Sequence, residues 1–331
     1  MNAETDGIAH APLEQWFTDR VATLEPPLDY EKIHGGLSNL TFLVTDQDGK
    51  RWVLRRPPLG DRLGSAHDMG REVRVVTALA ETPVPVPPVV GYCDDDSVTG
   101  APFYVMDFVE GPVLRAPEQA ALFPAPEQRR RIGEGLVETM SEIHALDPQE
   151  IGLGDLGRHD GYVSRQLKRW SGQWEMSKTR ELPLLEDVHR RLLDSVPEQT
   201  ETTIVHGDYR LDNVIYSPLG EVAAVVDWEL CTLGDPLADL GLLMVYWVEP
   251  EDEAMPLFRP ATAEPGFPSR SDLVDHYRRV SGRDVSHLDY FVALGYWKLA
   301  VIIEGVLARF RSGGYGEEAR ESGQEFEAAV E

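Results

Sequence analysis

Cysteine is nearly absent from this 331-residue chain, with Cys93 and Cys231 far apart and in no C-x-x-C pair. That excludes a disulfide framework and a cysteine-built zinc site. Basic residues are scarce too: 31 lysines and arginines stand against 57 aspartates and glutamates, a formal net charge of −26. So acidic a chain repels phosphate backbones and anionic bilayers, which argues against non-specific nucleic-acid or membrane-surface binding. The same charge attracts cationic small molecules, although it serves solubility equally well. Long uninterrupted apolar runs are missing. The most apolar stretch, Leu288 to Phe310, is broken by Asp289, Lys298 and Glu304, as in a buried globular helix. The N-terminal MNAETDGIAHAPLEQW has neither a basic start nor an apolar stretch, so no secretory signal is read there. The expectation is a soluble, cytoplasmic protein with no nucleic-acid or membrane partner. Apolar residues at 42% and aromatics at 8% suffice for packed cores, and the length suits two domains or one two-lobed unit.

Periodicity divides the chain. Glu31 to Thr45 reads as two extended pieces around a Gly-rich turn, and Asp48-Gly49 is a hairpin signal before a third piece, Arg51 to Arg55. Met69, Val73, Val76 and Leu79 recur at helical spacing, with Glu72 beside the stripe. A proline-rich extended segment, a polar turn at DDDSVTG and a strand at Phe103 to Phe108 follow, ended by Glu110-Gly111-Pro112. Beyond that, helices are expected ending near Ala145-Leu146, then at Leu184 to Val196, Asp272 to Val280 and Tyr290 to Phe310. One island of β character interrupts them: Thr203 to His206, Asn213 to Tyr216 and Val222 to Asp227. The predicted class is α+β, with a small antiparallel β lobe carrying one helix (1–108) and a larger, mainly helical lobe (109–331).

The chemistry concentrates in that island. IVHGDYRLDNVIY contains H-x-D-x-x-x-x-N, placing Asp208 and Asn213 at the two ends of a short loop between apolar strands, and Asp227 ends the next apolar strand. Phosphoryl transfer uses such a set: a carboxylate to accept the attacking hydroxyl's proton, and a carboxylate and an amide oxygen to hold magnesium on nucleotide phosphates. Asp208 is the candidate base, with Asn213 and Asp227 as the candidate metal ligands. The competing structural account is a hairpin whose polar residues cap turns. In the N-terminal half, Gly35, Gly36, Ser38 and Asn39 form a turn able to offer backbone N–H groups to phosphates. Arg55 ends the following strand as a phosphate partner, and Glu72 is placed to hold it by an ion pair. Residues 106–112, including Asp107 and Val109, read as a hinge whose backbone faces an adenine. ATP and Mg2+ are the cofactors this set implies.

Other signals carry less. Gly152-Leu-Gly154-Asp-Leu-Gly157 spells G-x-G-x-x-G but follows a helix rather than a strand, so a dinucleotide site is not supported. Neither a Walker motif nor H-E-x-x-H occurs. His144 reads as a hydrogen-bonded core histidine, and Cys231 as a small buried hydrophobe. Trp170 and Trp174, one helical turn apart, serve either a substrate cleft or the core.

VHGDYRLDNVIY, VVDWE, GDPLADLG and HGGLSN together resemble the aminoglycoside phosphotransferase and choline kinase-like family over about residues 28 to 312. The resemblance implies a protein-kinase-like fold and ATP- and magnesium-dependent transfer of the γ-phosphoryl group to the hydroxyl of a small molecule. RWVLRRPP, REVRVVTAL and GLGDLGRHDGYVSRQLKRW are similar to the subgroup containing the kinase-like domain fused to acyl-CoA dehydrogenases. That likeness implies an acyl-CoA dehydrogenase as functional partner and a hydroxyacyl metabolite as acceptor, whereas the family name and the acidic surface suit an aminoglycoside. The alternative is a catalytically inactive, nucleotide-binding regulatory module. His206 carries over as a loop-organising residue, while Asp235 and Asp239 cap a helix and brace the loop. Arg55 stands where protein kinases have lysine; it keeps the charge and alters the geometry.

Overall fold

The computed structural model describes residues 7–33, 39–59, 68–252, 259–312 and 326–327. It divides into two compact units, Met1–Gly111 with Ala223–Cys231, and Pro112–Val222 with Thr232–Glu331.

The first unit is a five-stranded sheet, wholly antiparallel, of β1 (Asp29–Lys32), β2 (Leu40–Thr45), β3 (Arg51–Arg56), β4 (Val89–Cys93) and β5 (Phe103–Asp107), in the order β1-β2-β3-β5-β4. The two-residue period of β3 decides what each face receives. Trp52 and Leu54 join Phe42, Val44, Phe103 and Val105 on one face, covered by helix α1 (His10–Thr18) through Leu13, Trp16 and Phe17. Val53 turns the other way, packing with Tyr104, Met106 and Met69 of helix α2 (Met69–Leu79). Arg55, two residues beyond Val53 and opposite Tyr104, shares that second face.

Helix α2 starts where the Asp68 side chain accepts the Arg71 N–H (3.0 Å), an N-cap. Of the predicted stripe, Met69, Val76 and Leu79 are buried and Val73 is half-buried, and Glu72 is buried with them. The structure adds two helices to the predicted one: α1, and the single turn α3 (Asp96–Thr99) inside the polar DDDSVTG segment, closed by Gly100 at φ 81°. Residues 223–231 join this unit from far along the chain, tied in by the Val225 N–H on the Pro85 carbonyl (2.8 Å).

The second unit is built on helices α4 (Pro126–Ala145), α5 (Tyr162–Ser177), α6 (Pro183–Asp194), α7 (Leu237–Tyr246), α8 (Arg270–Ser281) and α9 (Leu288–Arg311). Strand β6 (Thr203–Val205) and strand β7 (Val214–Tyr216) flank the H-x-D-x-x-x-x-N loop; β8 (Val222–Val225) follows, and β6 pairs antiparallel with β9 (Thr232–Gly234). Helices α7 and α9 approach unusually closely at glycines: a Cβ on Gly241 would lie 2.7 Å from the Phe291 backbone, and one on Gly295 would lie 2.9 Å from Val245. Helix α9 has the length and apolarity to cross a bilayer, yet Phe291, Leu294, Trp297, Val301 and Leu307 are buried within this unit. Gly157 of the G-x-G-x-x-G segment packs against Thr232, where a Cβ would meet Oγ1 at 2.6 Å, and no strand precedes it.

Candidate active site

In the helical unit, the loop between β6 and β7 is held from beneath by Asp239. Its carboxylate, 1% exposed, accepts the backbone N–H groups of His206 (2.7 Å) and Gly207 (2.8 Å), with His144 Nε2 at 3.4 Å. Burial alone would raise the Asp239 pKa, but the His144 hydrogen bond and charge, His206 and the Gly207 N–H outweigh it and hold the carboxylate below its ordinary range. Tyr277 fixes His144 through Nδ1 (2.8 Å), and Gly207 takes φ +84°, a conformation that glycine allows. Asp235 accepts the Leu237 N–H (2.9 Å) at the start of α7. The two aspartates thus cap and brace, as the sequence suggests.

On this support stand Asp208 and Asn213. The Asn213 amide nitrogen donates to the Asp208 carbonyl (2.8 Å) and to Asp208 Oδ2 (2.9 Å), which turns the amide oxygen Oδ1 away from Asp208. Asp208 keeps a quarter of its side chain exposed, and Arg210 Nε lies 3.4 Å from Oδ2 and 3.1 Å from Asp212. The Arg210 guanidinium also lies 4.7 Å over the Tyr246 ring.

In the β-rich unit, Arg55 is the centre of a second constellation. Its Nε is 3.4 Å from Glu72, and its Nη2 is 2.7 Å from Asp227 and 3.9 Å from Glu229. Glu72 accepts the Tyr104 hydroxyl (3.0 Å), and Glu229 accepts the Asn39 amide (2.7 Å). Burial works against the Arg55 charge, but Glu72, Tyr104 and Asp227 more than compensate and keep it protonated. Burial likewise pushes the Glu72 pKa up, against the pull of Arg55. Asp227 has φ 67°, the left-handed region, and was the one non-glycine found there among the described residues. Such a backbone costs about 1–3 kcal/mol and is typical of functional positions.

Among the sequence candidates, the structure joins Asp208 to Asn213, and Arg55 to Glu72 and Asp227. Asn39 reaches the second group through Glu229. Gly35, Gly36 and Ser38 lie outside the described residues. Asp107 closes β5 with its N–H on the Pro88 carbonyl (2.8 Å), and Val109 follows, half-buried, outside any helix or strand. Trp174 is core at 4% exposure, whereas Trp170 borders a cavity with Lys298 over its ring at 5.3 Å. Lys298, Arg210 and Glu229 escaped the sequence reading as site residues. For Lys298 a signal existed, a cation inside an otherwise apolar helix.

Asn213 and Asp227 offer hard oxygen donors of the kind magnesium takes. Among the described residues no group of three or more His, Cys, Asp or Glu side chains is arranged to hold a metal.

The sequence profile of the phosphotransferase enzyme family matches residues 29–271. Mouse acyl-CoA dehydrogenase family member 10 is 33% identical over 94% of this chain and human member 11 is 34% identical over 92%; the chain spans 29% and 39% of their lengths. A Ralstonia eutropha JMP134 crystal structure assigned as an aminoglycoside phosphotransferase is 32% identical, with TM-score 0.77 over 96% of this chain and 95% of that one. The fold is protein-kinase-like.

Proposed function

Because this chain belongs to the phosphotransferase enzyme family, we propose that it transfers the γ-phosphoryl group of ATP, with Mg2+, to the hydroxyl of a small molecule. The observation that carries the reading is the Asp208–Asn213 pair: one amide nitrogen bonds both the carbonyl and the carboxylate of Asp208, on a loop clamped by buried Asp239. A turn that merely capped itself would not need a buried carboxylate beneath it.

Asp208 is the proposed base. As the acceptor oxygen bonds to the γ-phosphorus and the bond to the β-phosphate oxygen breaks, the hydroxyl proton passes to the Asp208 carboxylate. Asn213, through Oδ1, and Asp227 are the proposed metal ligands. Magnesium, when bound, neutralises charge on the phosphate oxygens. Arg55, aligned by Glu72, offers a guanidinium to phosphate, and the turn at Gly35, Gly36, Ser38 and Asn39 offers N–H groups. The backbone of Asp107 and Val109 is the proposed adenine contact. The acceptor is proposed to be a hydroxyacyl metabolite rather than an antibiotic, with an acyl-CoA dehydrogenase as functional partner, as the names of the relatives suggest.

Phosphorus NMR with Mg-ATP and two acceptor pools, aminoglycosides in one and hydroxyacyl-CoA esters with hydroxy acids in the other, tests this. A phosphomonoester signal is expected with the second pool and none with Asp208→Asn. Asp227→Ala is expected to abolish magnesium-dependent nucleotide binding. ATP that stays intact in the parent protein would refute the reading, and ATP that is bound but stays intact would leave the nucleotide-binding regulatory module.

A further inference from the structure

Helices α5, α7 and α9 enclose a cavity of about 30 Å³ that reaches Gly207, the residue before Asp208. A water needs roughly 10–15 Å³ of such volume, so the space takes a couple of waters or one carboxylate-sized group, not a sugar ring. Tyr162, Trp170, Leu242, Phe291 and Leu294 form apolar walls, and Lys298 and Asp239 bring the charges. Asp239 already accepts two backbone N–H groups and faces His144. The Lys298 ammonium has three donors, and the Gly207 carbonyl takes one at 3.0 Å. Desolvation lowers the Lys298 pKa below its ordinary value, and the nearby Asp208 and Asp239 offset this only in part. Beyond the same loop a second cavity, about 80 Å³, is lined by Arg115 and Arg210 with Asp212. In a chain of net charge −26, each pocket flanking the Asp208 loop thus carries cations beside a carboxylate, Lys298 with Asp239 in one and Arg115 and Arg210 with Asp212 in the other.

We propose that Lys298 is a specificity-determining residue, whose ammonium holds a carboxylate or carbonyl oxygen of the acceptor in this cavity and turns away acceptors that present an ammonium there. The inference rests on the phosphotransferase reading for its purpose, and on the cavity alone for its binding. A charge-assisted hydrogen bond between apolar walls is about twice as strong as a neutral one. A like charge beside the half-buried Lys298 ammonium is repelled, with less solvent to screen it than at the surface.

Three probes share one chain and one hydroxyl: 3-hydroxyoctanoate, 3-hydroxyoctanamide and 1-aminooctan-3-ol. Calorimetry without nucleotide measures their binding to the full chain, and phosphorus NMR with Mg-ATP measures transfer. The parent protein is expected to bind the acid at least about tenfold more tightly than the amine, about 1.4 kcal/mol, with the amide between. Lys298→Arg should keep that order, Lys298→Met should bring the acid-to-amine ratio near one, and Lys298→Glu should invert it, a reversal that loss of a structural contact with Gly207 would not produce. If Lys298→Met fails to fold, the Arg and Glu variants carry the comparison. Equal binding of all three probes, no binding of the acid at millimolar concentration, or an unchanged ratio in Lys298→Met would overturn the proposal. Discrimination in binding without phosphate transfer upholds Lys298 and excludes these probes as acceptors; transfer without discrimination upholds the phosphotransferase reading and sinks Lys298.

Discussion

Replacing Asp239 with asparagine preserves volume and removes the charge beneath the Asp208 loop. The carboxylate accepts His206 N–H at 2.7 Å and Gly207 N–H at 2.8 Å, on one oxygen each, with His144 near the first. Asparagine has one acceptor oxygen, so one of those N–H groups would face an NH2. A hydrogen bond to a charged group is worth about 1.5–3 kcal/mol and a neutral one about 1 kcal/mol. Losing one charged bond and neutralising the other therefore costs about 2–5 kcal/mol. At roughly 2–4 °C per kcal/mol for a unit of this size, the melting temperature should fall by about 10 °C. The pH dependence gives a second check. The folded Asp239 pKa is lowered, so its stabilisation is complete above the unfolded carboxylate value of about 4 and is lost as pH falls through the folded value. The gap between parent and variant in thermal melts should therefore be constant from neutral pH down to about 5 and shrink in acid below about 4. A variant melting within about 2 °C of the parent at neutral pH, with transfer activity intact, would refute the clamp.

Arg55→Met leaves Glu72 buried without its cation, and chemical denaturation should show a loss of about 3–5 kcal/mol. Arg55→Lys should lose less, because an ammonium keeps the charge while giving up the separate Nε and Nη2 contacts to Glu72 and Asp227. Gly241→Ala forces a Cβ to 2.7 Å from the Phe291 backbone, and should destabilise by about 1–3 kcal/mol in the same assay. Gly172→Ala, in helix α5 with nothing within 4 Å of the added Cβ, should instead stabilise by about 0.5–1 kcal/mol.

Much of the fold was legible because each signal was local. The extended piece Arg51 to Arg55, the stripe Met69, Val73, Val76 and Leu79 and the hairpin at Asp48-Gly49 depend on near neighbours in the chain. Helix α1 escaped because HAPLEQWFT is short and its apolar Leu13, Trp16 and Phe17 make a stripe only once the sheet supplies a face to cover. Trp170 and Trp174 show the same limit: one helical turn apart, one is core and the other borders a cavity, and the difference lies in what packs over each. The loop motif pointed to Asp208 and Asn213 because both sit within six residues of chain, where spacing governs which side chains can meet.

By itself, the sequence determined the class and much of the order of the elements, and it nominated Asp208, Asn213 and Asp227 as candidates for phosphoryl-transfer chemistry. Periodicity and turn residues act through the backbone of a few successive residues. The tertiary structure decided which polar atoms meet. It buried Glu72 against Arg55, and it brought residues 223–231, with strained Asp227, into the β-rich unit. It also set Asp239 beneath Gly207 and the Lys298 ammonium on that residue's carbonyl, from 91 positions away. Such partners are chosen by packing: a buried charge must find its counter-group in three dimensions, wherever along the chain that group lies.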